Sequence, residues 1–184
     1  MSEKEMVKGC RHGDNEARKE LYMQYGGLML GLISRYISDK EEAKDVLHDG
    51  FIRAYSAFIK FDWRGEGSLR AWLSRLFVNM ALNYLTSSEN KLQFENIDDE
   101  YDLVDDTTIP HENDVMNIPE DVLIGFIQQL PAGYKTVFNL YAIDGFSHKE
   151  IAKLLNIKER TSSSQFFKAK QLLVRKINAY LTEK

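Results

Sequence analysis

The sequence has one cysteine, three prolines and four histidines in 184 residues. A lone thiol, Cys10, can form no internal disulfide, and His12, His48, His111 and His148 are scattered without metal-ligand spacing. A disulfide scaffold and a structural zinc site are therefore not expected. No apolar run approaches the roughly 18 residues a membrane span needs, so no membrane insertion is expected. The opening stretch MSEKEMVKGCRHG lacks the apolar core of a secretory signal, which makes the cytoplasm the expected location. No glycine-rich phosphate loop is present, and no cofactor is expected. What remains, 43% apolar and 28% charged, is an ordinary globular composition, long enough for one domain or two small ones.

A formal net charge of −4 argues against a nucleic-acid partner only while it is averaged over the chain. Residues 86–121 carry 12 Asp or Glu against Lys91 alone, a net −11; residues 1–85 are at +1, and residues 122–184, with 10 basic and 4 acidic groups, at +6. The acidic middle has no sustained helical or strand period and is too long for an internal loop of a compact domain, so it reads as a linker. The expected division is a first domain at 1–88, an acidic flexible linker at 89–120 and a second domain at 121–184.

Both flanks read as helical. In EEAKDVLHDGFIRAYSAFIKF apolar residues recur at Val46, Leu47, Ile52, Tyr55 and Ile59; SLRAWLSRLFVNMALNYL spaces Leu69, Leu73, Leu76, Met80 and Tyr84 by three and four. The glycines of DWRGEGS break the helix between them, and Ser68 is the expected N-cap of the second. With no β-alternation or hairpin signal, the fold class is all-α. In the last third, Ser147-x-x-Glu150 is a capping box that opens a short helix. A break at 156–158 and a second, basic helix follow, a helix-turn-helix layout in which the small Ala152 is expected to let the helices approach. The plain alternative is a structural helical hairpin.

The second helix begins IKERTSSSQFFKAK. Serine prefers caps and turns to helix interiors, so three in a row need a reason. At 100° per residue Ser164, Lys168, Gln171 and Arg175 share a polar face, opposite an apolar stripe of Phe166, Ala169, Leu173 and Ile177. Small hydroxyl side chains at the start of such a helix let its backbone approach a duplex closely. The alternative is that Thr161 to Ser164 merely cap the helix.

Taken together, DVLHDGFIRAYSAF…FDWRGEGSLRAWLSRLFVNMALNYL and, after the acidic segment, LPAGYKTVFNLYAIDGFSHKEIAKLLNIKERTSSSQFFKAKQLL resemble the extracytoplasmic-function (ECF, group IV) sigma factors of the sigma-70 family. The run TSSSQ is similar to variant recognition helices common in Bacteroidetes members. The resemblance implies two helical domains, region 2 and a helix-turn-helix region 4. It also implies partners: core RNA polymerase, through its β′ coiled coil and β flap, promoter DNA, and an anti-sigma factor. Residue by residue it places Asp45, His48 and Asp49 against the polymerase β′ coiled coil. Two carboxylates one helical turn apart suit arginines of such a partner, and His48 stands where the family usually has Gln. The resemblance puts Phe61, Trp63 and Arg64, with Arg75, Asn79 and Asn83 on the following helix, at the −10 element. Aromatic surface beside cations is the means of holding single-stranded DNA. Trp72 is expected in the core. Arg160, Ser163, Ser164, Phe167, Lys168 and Arg175 fall at the −35 element; the family usually has Arg where Ser163 stands, so direct guanine readout is expected to be weaker and DNA shape more important.

The function this implies is a transcription initiation factor, with no catalysis of its own, that supplies promoter recognition and strand opening. Two other classes are weighed against it. A stand-alone helix-turn-helix regulator would bind operator DNA without polymerase. A metal-dependent phosphoryl-transfer enzyme would use the carboxylates of DDEYDLVDD, but lacks every accompanying motif.

Overall fold

A computed structural model describes residues 1–87 and 109–183 of the chain. These residues form helices and turns without a strand and divide into two compact units, one N-terminal and one C-terminal.

The N-terminal unit holds α1 (Glu3–Arg11), α2 (Asn15–Ser34), α3 (Lys40–Ala57) and α4 (Ser68–Thr86). Each of the first three opens on a side-chain cap. Ser2 and Glu5 form a capping box, Asp14 accepts from the Glu16 N–H, and Asp39 accepts from the N–H groups of Glu41 and Glu42. Helix α2 packs against α1, α3 and α4, through a buried stripe of Ala17, Leu21, Tyr25, Met29, Leu32 and Ile33. Helix α3 buries Val46, Leu47, Gly50, Phe51 and Ala54. Gly50 is required by distance: a Cβ there would lie 2.1 Å from the Phe77 ring of α4. The expected core positions Ile52 and Ile59 are instead exposed, because the buried face of α3 runs one residue round through Phe51, Ala54 and Phe58. On α4 the buried face starts at Leu69 and Leu73 but continues through Phe77, Val78, Ala81 and Leu82, leaving Leu76, Met80 and Tyr84 only half-buried.

Ser68 is the first residue of α4, not its N-cap; Gly67 holds that place with a φ of 84°. The capping group comes from elsewhere. The buried Glu3 carboxylate accepts from the backbone N–H groups of Gly67 and Leu69, both at 2.7 Å. Sequence reading within a single helix cannot find a cap 64 residues away.

The C-terminal unit holds α5 (Glu112–Met116), α6 (Glu120–Gln128), α7 (Ala132–Phe138), which runs on into a wider turn at Asn139–Ile143, α8 (His148–Leu155) and α9 (Glu159–Thr182). Most of the expected linker, 89–108, lies outside the described residues. Its remainder contains α5, a short helix whose first-turn Glu112 and Asp114 complement the helix dipole. One core cluster of the unit is Leu130, Tyr134 and Ala169, with Phe138, Leu172 and Leu173 packed against it; Val137, Leu140 and Ile151 are also fully buried. Helix α8 opens on the Ser147–Glu150 capping box and buries Ile151 and Leu155. It ends at Asn156 in the left-handed conformation, φ 53°, a place that asparagine tolerates better than most residues. Ala152 is half-buried, and from α9 the fully buried Ser162 meets His148 of α8. No helix among the described residues is long and apolar enough to cross a membrane.

Candidate nucleic-acid and docking surfaces

The glycines of DWRGEGS shape a loop between α3 and α4. Gly65 and Gly67 take φ of 118° and 84°, open only to residues without a Cβ. Ser68 ties the loop to itself, its hydroxyl donating to the Gly65 carbonyl at 2.6 Å and accepting from the Arg64 N–H at 3.2 Å. Lys60, Asp62, Arg64, Ser68, Trp72 and Arg75 line a cavity of about 400 Å³. A second, of about 300 Å³, is lined by Arg53, Leu76, Asn79, Met80 and Asn83 and shares Trp72 and Arg75 with the first. Together they make one groove along α4 with four cations, Arg53, Lys60, Arg64 and Arg75, against Asp62.

Two aromatics depart from expectation. Phe61 is 7% exposed, its ring packed against Phe58 and Trp72 with centroids 6.0 and 4.7 Å apart, so it lines the cavity from its floor. Trp72 is half-buried and faces the groove; one side rests on Phe58 and Phe61 and the rest is available. The reason is shared: Phe61 follows the turn at Phe58–Lys60, which folds its ring inward beneath Trp72. Trp63 is half-buried under the Lys4 ammonium, 5.4 Å from its ring centroid. Arg64 is exposed, 3.6 Å from Asp62. Arg75, Asn79 and Asn83 are exposed along one face of α4. Arg53, unread in the sequence, joins them from α3, its guanidinium 3.6 Å from Met80 Sδ. Four-residue spacing within one helix could not reveal a cation supplied by the neighbouring one.

On α3, Asp45, His48 and Asp49 are all exposed. Neither carboxylate has an ion-pair or hydrogen-bond partner among the described residues. His48 Nε2 lies 3.5 Å from the Tyr22 hydroxyl of α2, with the two rings stacked at 6.3 Å. Exposed Ile52 stands one turn beyond His48. The face is thus mixed: two unpaired carboxylates beside Tyr22 and Ile52.

The three serines of α9 have separate tasks. The helix begins at Glu159, with Lys158 before it and no side-chain cap, so Thr161 to Ser164 lie within the helix and cap nothing. Ser162 is buried, its hydroxyl 2.9 Å from His148 Nδ1. Ser163 and Ser164 are exposed, and Ser164 turns its hydroxyl back to the Thr161 carbonyl at 3.0 Å. Phe166 packs against Phe138, Tyr141 and His148, while Phe167 is 54% exposed. Arg160 is exposed in the first turn; Lys168 and Arg175 are half-buried further along. At 1.5 Å per residue Arg160 and Arg175 are about 22 Å apart along the axis, so they would meet separate stretches of any duplex.

Among the described residues no three His, Cys, Asp or Glu side chains gather to hold a metal ion; the carboxylates of residues 98–106 lie outside that set.

Residues 21–90 match the family model for sigma-70 region 2, and residues 121–173 that for sigma-70 region 4. The chain is 29% identical over 184 residues to the ECF RNA polymerase sigma-E factor of Haemophilus influenzae, with 96% of each chain covered. It is 28% identical over 188 residues to the RNA polymerase sigma-H factor of Pseudomonas aeruginosa, covering 98% of this chain and 96% of that one. Among solved structures, that of CnrH in complex with the cytosolic domain of CnrY aligns with a TM-score of 0.47 at 21% identity, over 97% of this chain and 96% of the other.

Proposed function

The chain belongs to the sigma-70 family of RNA polymerase factors, in its extracytoplasmic-function branch, and from that premise we propose how its surfaces divide the work of starting transcription. As a sigma factor it binds core RNA polymerase, directs it to promoters and takes part in opening the DNA; bond-making stays with the polymerase.

The observation that carries the residue-level reading is the groove along α4. Trp72 gives a stacking face; Arg53, Lys60, Arg64 and Arg75 give phosphate partners; Asn79 and Asn83 give donors and acceptors at successive turns. This combination suits the displaced strand of a −10 element. A base leaving the stack is held on Trp72, Trp63 and Arg64 edge the entrance, and Phe61 supports the platform from beneath. Asp45, His48 and Asp49, with Tyr22 and Ile52 beside them, are the face for the polymerase β′ coiled coil. The carboxylates select orientation and the apolar pair supplies burial.

In the C-terminal unit the open start of α9 is the face for the −35 element. Its first N–H groups have no side-chain cap and attract phosphate. Ser163, Ser164 and Phe167 reach base edges, and Arg160, Lys168 and Arg175 reach the backbone. The same unit meets the β flap in the holoenzyme. An anti-sigma factor is the proposed cytoplasmic partner that withholds the chain from polymerase, as is common in this family.

The test is run-off transcription with core polymerase on genomic DNA fragments, with transcript starts mapped by sequencing. Starts that share a −35 and a −10 motif and vanish without this chain support the reading. Tight operator binding by the chain alone, with no polymerase-dependent starts, would support the stand-alone regulator instead.

A further inference from the structure

Helix α1 meets the loop between α3 and α4 at its beginning, middle and end. At the beginning, the Arg11 guanidinium donates to the Phe61 carbonyl. In the middle, the Lys4 ammonium sits over the Trp63 ring. At the end, the buried Glu3 carboxylate takes the N–H groups of Gly67 and Leu69, one on each oxygen, at 2.7 Å. The backbone of the loop is therefore held from outside, while the side chains of Asp62 and Arg64 stay exposed.

We propose that α1 is a positioning clamp for strand opening, with Glu3 and Arg11 as positioning residues that fix the loop 61–67 in the shape that receives an unstacked base. The proposal rests on the reading of that loop as part of the −10 surface. Its physical basis is the cost of order. A loop with two left-handed glycines has a wide choice of conformations, and ordering it during DNA opening subtracts from the binding that opening needs. A clamp that orders it beforehand removes that cost. Glu3 has a second effect. The N–H groups at the start of a helix are a ready phosphate site, and the carboxylate occupies that of Leu69 in α4 and that of the N-cap Gly67. The DNA strand is thereby turned away from the helix end and along the groove past Arg64, Trp72 and Arg75.

The experiment compares holoenzymes on a duplex promoter and on the same promoter premelted across the −10 element, with 2-aminopurine in the displaced strand reporting opening. Glu3→Gln keeps the size of the side chain but leaves one oxygen for two N–H groups. Arg11→Ala removes the other tie, and Arg11→Lys keeps a donor and should recover most of what alanine loses. The expected result is opening of the duplex promoter slowed about 10-fold or more by Glu3→Gln and Arg11→Ala, as for loss of a charge-assisted hydrogen bond, with near-normal complex formation on the premelted promoter. Equal losses on both templates, or no recovery by Arg11→Lys, would mean a merely structural role and overturn the clamp. Trp63→Ala with Arg64→Ala is the control for the premise. If this pair slows opening while the Glu3 and Arg11 variants open like wild type, the clamp fails and the loop reading stands. If the pair opens like wild type, the loop reading fails and takes the clamp with it.

Discussion

His148 Nδ1 and Ser162 Oγ lie 2.9 Å apart, joining the first residue of α8 to the first turns of α9. The first serine of TSSSQ thus ties the two helices together, while the two that follow face outward. Ser162→Ala should cost about 1 kcal/mol, the usual net value of a hydrogen bond, since the half-buried His148 can turn to water. Ser163→Ala and Ser164→Ala should stay within about 0.5 kcal/mol, as surface changes do. Urea unfolding of the three variants, followed by helical circular dichroism, checks the order; equal costs at all three positions would remove Ser162 from its structural place.

Gly50 makes a sharper test of packing. With the Phe77 ring 2.1 Å from where a Cβ would stand, Gly50→Ala must push α3 from α4 or turn the ring. The gain in helix propensity, about 1 kcal/mol, is smaller than the ~1–3 kcal/mol typical of overpacking. The midpoint of thermal unfolding should therefore fall. A companion Phe77→Leu change, which frees space, should recover part of the loss in the double variant. A rise in the midpoint for Gly50→Ala alone would contradict the packing described.

Cys10 is buried between α1 and α2, and burial pushes its thiol up to about 11. Thiolate is the reactive form, so at pH 8 the native protein should react with a disulfide reagent far more slowly than the urea-unfolded chain. The sign of the pH effect follows. The unfolded thiol ionises near 8.5, before the folded one, so its contribution to stability is complete below about 8.5 and is lost as pH rises through about 11. The hydroxyls of Tyr25 and Tyr55, also pushed up by burial, add in the same direction. Cys10→Ala should flatten part of the alkaline fall in urea stability; an unchanged slope would exclude the thiol as its source.

On the α3 face, Asp45→Ala with Asp49→Ala should leave the fold intact, since both side chains are exposed, and abolish co-elution with core polymerase in gel filtration. Ile52→Ala should weaken the same association less, by about 1–2 kcal/mol for a partly buried aliphatic contact, and with little dependence on salt. Co-elution of the double alanine variant at wild-type levels would remove this face from the polymerase contact.

The parts legible in the sequence were those whose cause is local. The Ser147–Glu150 capping box and the helix break at Asn156 follow from neighbouring residues. So does the glycine loop before α4. What escaped depends on distant partners. Ser68 looked like the cap of α4 because it is the nearest candidate, whereas the cap is Glu3, placed there by the packing of the whole N-terminal unit. Ile52 and Ile59 fit a helical period, yet the buried stripe of α3 uses Gly50, Phe51 and Ala54, because contact with Phe77 selects for the absence of a side chain. The Ser2–Glu5 box was as legible as the later one and went unread. Helix α2 buries Ala17, Leu21, Tyr25, Met29, Leu32 and Ile33 at three- and four-residue spacing, but its exposed Tyr22, Met23 and Leu28 blur that stripe in the sequence.

The last prediction separates positioning from readout on α9. Lys168 and Arg175 are long cations on its polar face, so alanine at either should weaken binding to every promoter about equally, and the slope of log affinity against log salt should shrink by about one unit per lost phosphate contact. Ser163, Ser164 and Phe167 are exposed nearer the helix start, where base edges and thymine methyl groups come within reach. Changing them should alter which −35 sequences are preferred, by about 1–3 kcal/mol at a contacted base pair. Ser162 must stay out of this set, because its buried hydroxyl faces His148 and not the duplex. Ser163→Arg should fold normally, because that position is exposed, and should add a guanine preference through the bidentate contact that serine cannot make. Selection of −35 sequences from a randomised pool by holoenzyme carrying each variant reads the two effects apart. If the Ser163 and Ser164 variants select the wild-type sequences while Lys168→Ala changes the choice, the roles of the two groups are the reverse of those proposed.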